Sequence, residues 1–314
     1  MKKILLFLLW TGTLLYLSGC RNAPSAAPNL APFSPVPTEN CCLLTCGKNT
    51  FKLHPDKQYA LFNATPVQLP APAAYGKEKC YRVTPGTLKN IIAPLLTGKV
   101  PARKIRRILI DPGHGGHDNG APGKASREKE LNLLLASELR IALNKAGFQT
   151  VMTRDRDVFL PLRDRVKLVK KYKADLFVSV HHNSSKVRPD ASGIECFAYR
   201  SPRPEDTLLA ASVQQALVRT TGCTDRGVKF ARLAVLRENP APAILIEAGF
   251  ISNQTDEKFL TDPKWRQAAA RAAAEGIAAF SRRAEAALAR EEVSPAEAKP
   301  APRKGKADRN VRPR

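Results

Sequence analysis

RILIDPGHGGH, residues 107–117, reads as a short buried strand running straight into a polar turn. Ile108, Leu109 and Ile110 form the apolar run, Asp-Pro-Gly stops it, and His114 follows at once. The same construction returns twice. LFVSVHHNSS, residues 176–185, carries His181 and His182 at its polar end, and AILIEAGF, residues 243–250, carries Glu247. Apolar runs this short and this continuous suit strands buried on both faces, which belong to parallel sheets.

Helical patterns separate these runs. From Glu128 to Lys145, residues Leu131, Leu134, Leu135, Leu139, Ala142 and Leu143 share one face, and Gly147 ends the helix. FQTVMTR follows as a strand, then a basic helix from about Leu162 to Tyr172. GIECFAY is a further strand, and a helix from about Glu205 to Thr220 carries Leu209, Val213 and Leu217 on one side. LAVLR, residues 233–237, reads as another strand. The last helix opens at Asp262-Pro263, a capping residue followed by proline, and continues to about Ala289. The pattern predicts an α/β fold: a mixed, largely parallel sheet flanked by helices on both faces, in a single catalytic domain over residues 104–290. Sites in such sheets lie beyond the carboxyl ends of the strands, where His114, His181 and Glu247 fall.

The flanks differ in character. Lys2 and Lys3, an apolar run from Ile4 to Leu17, and then Leu-Ser-Gly-Cys20 predict an export signal over residues 1–19. The small residues before Cys20 predict lipidation of its thiol, tethering the chain to a membrane it does not span. Arg21 rather than Asp after that cysteine points to an outer-membrane destination facing the periplasm. Residues 20–46 read as a Pro/Ala-rich linker with cysteines, residues 47–100 as a small β-rich leader, and residues 291–314 as a basic disordered tail. Within the leader, CYRVTPGTLKNIIAPLL suggests a strand and a short helix starting near Thr84 or Pro85. The net charge of +23 suits anionic envelope polymers or lipid head groups, and export argues against nucleic acid. Export also favours disulfides among the cysteines of the N-terminal region, with Cys196–Cys223 a separate candidate.

Chemistry concentrates in few residues. Four of the five histidines sit in the two segments quoted above. Glu128 and Glu130 lie at the start of a helix that Ser126 is placed to cap. Two imidazoles and a carboxylate satisfy the protein ligand count of a catalytic zinc site. Glu247 interrupts an apolar strand, where a buried charge is costly without a partner. Water activated at a metal would supply one; an arginine such as Arg154 or Arg165 is the structural alternative. These residues point to a metal-dependent hydrolase.

The segments LIDPGHGGHDNGAPG, REKELNL, FQTVMTRDRD, ADLFVSVHHNSS and RGVKFARLAVLRENPAPAILIEAGFISN, with the closing helix, resemble the zinc-dependent N-acetylmuramoyl-L-alanine amidases of the Amidase_3 family. The likeness runs from about Arg106 to Arg283 in family order. It implies Zn2+ held by His114, Glu128 and His181, with His117, Glu130 and His182 outside the ligand set. It implies Glu247 as the base that takes a proton from the attacking water. The implied substrate is peptidoglycan, cut between N-acetylmuramic acid and L-alanine. Between Asn183 and Ile246 there is no room for the blocking helix some members carry, so no obligatory activator is expected. Two other functions use the same residues: an inactive wall-binding protein on the amidase scaffold, and a zinc peptidase cutting the stem peptide.

Overall fold

The computed structural model describes residues 15–17, 34–37, 41–75 and 81–293. Cys20, Cys80, the basic tail from residue 294 onward, and the expected export segment other than Leu15–Leu17 lie outside the described residues. Leu15–Leu17 lies antiparallel to Tyr81–Val83.

Eleven strands form one sheet. In chain order they are β1 (Ser34–Pro37), β2 (Cys42–Cys46), β3 (Asn49–Leu53), β4 (Tyr59–Phe62), β5 (Thr65–Gln68), β6 (Arg107–Pro112), β7 (Gln149–Met152), β8 (Leu176–Asn183), β9 (Ile194–Tyr199), β10 (Asp225–Ala231) and β11 (Ala243–Phe250). Their spatial order is β7-β6-β8-β11-β9-β10-β5-β4-β3-β2-β1. From β7 to β10 every pairing is parallel except β9 with β11. The leader strands β1 to β5 are an antiparallel meander that joins the rest through a parallel bridge, Val67 opposite Val228.

Helices cover both faces of the parallel part: α1 (Glu128–Lys145), α2 (Leu162–Lys171), α3 (Pro204–Thr221), α4 (Gln254–Thr261) and α5 (Pro263–Val293). Strand periodicity assigns the faces. Ile108, Ile110, Val178, Ile244 and Ile246 point back, into a core shared with Leu135 and Leu139 of α1, Leu209 of α3 and Ile277 of α5. Leu109, Phe177 and Leu245 point forward, into a smaller core with Val169 of α2. Gly276 lets α5 approach α3 closely: a Cβ there would lie 2.6 Å from Val213 Cα.

Three expectations are corrected. LAVLR is not a strand: Ala234–Arg237 is one helical turn, Leu233 O accepting from Arg237 N at 3.0 Å. Its buried residues, Val235 and Leu236, are adjacent rather than alternate, so only a turn presents both to the forward core. The strand of this region is β10, which breaks the expected apolar run because one of its faces is solvated and Val228 alone is fully core-facing. Cys42–Cys46, expected as the end of a linker, is β2, with Cys42 and Leu44 buried. Cys196 and Cys223 form no disulfide: Cys196 is enclosed within β9, where burial raises its thiol pKa.

Candidate metal centre

The site begins where β6 stops. Gly113 N donates to Val180 O at 3.0 Å, tying the turn to β8. A Cβ on Gly113 would lie 2.1 Å from the His181 ring, so only glycine lets the two segments meet. His114 sits at φ 60°, a left-handed conformation that is costly for a residue with a Cβ.

A buried polar frame holds it there. Arg165 donates to Asp111 Oδ1 at 2.9 Å, to Pro112 O at 2.7 Å and to His114 O at 2.7 Å. Arg154 donates to Pro112 O, Gly113 O and Lys129 O. Asp111 also accepts from Thr153 Oγ1 and Ser179 Oγ. Both arginines considered as partners for Glu247 therefore serve the turn instead.

Glu128 arrives from the other side, as the first residue of α1. The loop before it wraps the Glu257 carboxylate, which accepts from the backbone N–H groups of Lys124, Ala125 and Ser126. Ser126, expected as the helix cap, instead donates its hydroxyl to Glu257 Oε1 at 2.7 Å, and Arg127 occupies the cap position without a capping side chain. Burial alone would raise the Glu257 carboxyl, but these donors hold it below its ordinary value.

His114, Glu128 and His181 converge, each with a ligand atom within 4.8 Å of the others. Glu128 Oε1 lies 2.8 Å from His181 Nδ1, and Oε2 lies 3.1 Å from His114 Nε2. Burial alone would raise the Glu128 carboxyl, yet hydrogen bonds from His114 and His181 hold it far below the carboxylate range. Burial works against a proton on His114, but Glu128 and Asp118 outweigh it and raise its pKa. His114 Nδ1 lies 2.8 Å from Asp118 Oδ2, an arrangement that turns Nε2 toward Glu128. Two imidazoles and one carboxylate, all aimed at one point, fit a zinc ion with a position left for water.

His182, placed outside the ligand set, has a structural partner. Asn132 Nδ2 donates to Gly113 O at 3.2 Å and Glu128 Oε1 at 3.3 Å, so its Oδ1 accepts from His182 Nδ1 at 2.7 Å. That tautomer leaves His182 Nε2 buried and unbonded, and burial lowers the pKa to about 3. His117 stacks on Phe159, ring centroids 4.1 Å apart, and Glu130 is exposed.

Glu247 stands in register opposite His181 on one side and Glu195 on the other. Its Oε2 is buried with no hydrogen-bond partner. Burial, then the charges of Glu128 and Glu195, push its carboxyl well above the ordinary value, and Lys229 opposes them. Glu195 accepts from Arg226 Nε at 2.9 Å, from Asn183 Nδ2 at 2.7 Å and from Lys229. A cavity of about 360 Å³ opens in front of His114 and His181, walled by Phe159, Leu162 and Val235.

Sequence reading missed Asp118, Asn132, Glu195 and Glu257. Asp118 and Asn132 did carry a signal, each standing four residues after a ligand candidate. For Asn132 that is the helical spacing that makes neighbours of side chains.

The profile of one family, described as N-acetylmuramoyl-L-alanine amidase, matches residues 108–279. The chain is 34% identical over 175 residues to the N-acetylmuramoyl-L-alanine amidase LytC of Bacillus subtilis, a match covering 56% of this chain and 35% of LytC. The chain thus spans about a third of that relative's length. The crystal structure of an N-acetylmuramoyl-L-alanine amidase from Clostridium difficile 630 superposes with a TM-score of 0.55 at 35% identity, covering 57% of this chain and 97% of that one. The CwlD amidase from Clostridioides difficile, solved in complex with the GerS lipoprotein, gives 0.53 at 29% identity, covering 56% and 98%. With the match spanning more than half of the sequence and taking in His114, Glu128, His181 and Glu247, the chain belongs to the N-acetylmuramoyl-L-alanine amidase family.

Proposed function

We propose that the chain hydrolyses the amide bond between N-acetylmuramic acid and L-alanine in peptidoglycan, with zinc held by His114, Glu128 and His181 and with Glu247 as the base. The observation that carries this is the orphaned Glu247 Oε2, buried on the strand directly beside the convergent triad. Zinc bound there supplies a Lewis acid that polarises a carbonyl and lowers the pKa of water to about 7.

The chain's own residues do the rest. Asp118 fixes the His114 ring, and Glu128 spans both imidazoles. Glu247, beside His181 by register and with Oε2 unpaired, suits a group that takes a proton from water and returns it to the departing L-alanine nitrogen. Phe159, Leu162 and Val235 give the substrate a largely apolar wall.

In the cell the reading places the protein in the envelope, exported, anchored through Cys20 and facing the periplasm, at the outer membrane where one exists. No helix among the described residues is long and apolar enough to cross a membrane. It also holds that the chain needs no activator, although CwlD forms a complex with a lipoprotein.

Digestion of purified peptidoglycan by the zinc-loaded protein alone, with products identified by mass spectrometry, tests all of this. A new L-alanine amino terminus is the expected result. A new terminus inside the stem peptide would instead make the chain a peptidase. No product from zinc-loaded protein would leave a wall-binding scaffold, unless an added partner restored turnover.

A further inference from the structure

Six strands place polar side chains on the forward face of the sheet in two adjoining register rows, offset by two residues. His181, Glu247 and Glu195 are adjacent by register on β8, β11 and β9. Lys229 of β10 pairs with Phe197, and its Nζ lies 5.9 Å above that forward-facing ring. Gln68 of β5 and Tyr59 of β4 follow, also paired by register. Four strand spacings and the two-residue step between the rows put Glu247 and Tyr59 about 20 Å apart.

This half of the forward face is open. The helices in front contact β6, β9 and β11. Beyond them Tyr59 is 46% exposed, and a second cavity of about 360 Å³ is lined by Gln58, Tyr59, Gln68, Arg226 and Lys229. The cavity belongs half to the leader and half to the family domain. Its lining holds two cations and no carboxylate: Arg226 and Lys229 pair with Glu195 behind it while keeping 27% and 30% of their side chains exposed.

We infer that this open row is the binding groove for the acidic stem peptide of the substrate, and that the leader completes it. The inference rests on the amidase reading, which puts the bond to be cut at Glu247. A glycan of N-acetylated sugars offers no charge to the two cations that line the cavity, whereas a stem peptide offers carboxylates. Lys229 and Arg226 take a carboxylate one strand beyond Glu195, and Tyr59 with Gln58 supports the residues that follow.

The test compares N-acetylmuramoyl tetrapeptide carrying free carboxylates with the same compound fully amidated. The intact chain should favour the acid by about tenfold in kcat/KM, the value of one hydrogen bond between charged groups. Lys229→Met should reduce that preference to about twofold while Lys229→Arg keeps it, which separates charge from folding. Tyr59→Ala should raise KM more for the tetrapeptide than for the dipeptide compound. Equal turnover of acid and amide by the unaltered chain would overturn the groove, as would an undiminished preference in Lys229→Met or a KM that follows glycan length instead. Failure of the amidase reading looks different: neither compound is cut. The groove is then read by calorimetric binding of the free tetrapeptide, and absence of binding would sink it too.

Discussion

In the proposed mechanism one atom of Glu247 separates a metal site from a catalyst. Glu247→Ala should keep zinc, because the three ligands do not depend on it, and should lose at least about 100-fold in turnover. Metal analysis and a rate assay on the same sample check both halves; near-normal turnover would remove it as the base. His182 gives a pH prediction. Its pKa is about 3 in the fold against 6.5 unfolded, so the unfolded chain binds the extra proton between those values. The stability it contributes is full above pH 6.5 and falls as the pH drops toward 3, by up to about 1.4 kcal/mol per unit. In denaturant titrations from pH 4 to 7, His182→Asn should flatten that slope; an unchanged slope would mean His182 is not held neutral. At this scale His114, His181 and Glu247 were legible because a polar residue breaking an apolar run has few structural excuses. Glu257 was not, because its partner Ser126 lies 131 residues away and no local pattern links them.

The loop from Gly113 to Arg127 carries one proposed ligand, His114, and delivers another, Glu128. Its far end is fastened to α4 by what Glu257 accepts, three backbone N–H groups and a hydroxyl. Glu257→Ala leaves those donors unpaired and frees the start of α1. Zinc affinity should fall by about tenfold, the lower end for partners that orient a ligand from outside the coordination sphere. Competition against a chelator reports it, and unchanged affinity would show that Glu128 needs no such support. Elements with two strong sequence signals were readable: α1 has its apolar face and Gly147, and α5 has Asp262-Pro263 at its start. β10 was not, since only one of its faces meets a core and its neighbour β5 comes from a distant part of the chain.

Across the whole molecule the leader and the family domain share one sheet, so they should melt together. The junction passes through Gly227, at φ 80°, where a Cβ would stand 2.0 Å from Pro66 O. Gly227→Ala should push β5 off β10 and cost about 1–3 kcal/mol. Hydrogen exchange should then rise in residues 65–68 while zinc affinity holds; unchanged protection there would mean the bridge does not hold the leader. The α/β class was legible from the sequence because strands and helices alternate over 107–289. The continuation of the sheet into the leader was not, because a single register pair, Val67 with Val228, makes the join.

That join also has a consequence for how the protein is made. β5 is synthesised about 160 residues before the strand that covers its edge. At about 5–20 residues per second, the leader waits some 10–30 s with a strand edge open to any neighbouring chain. Mispairing during biogenesis, rather than loss of the finished fold, is the hazard this architecture carries.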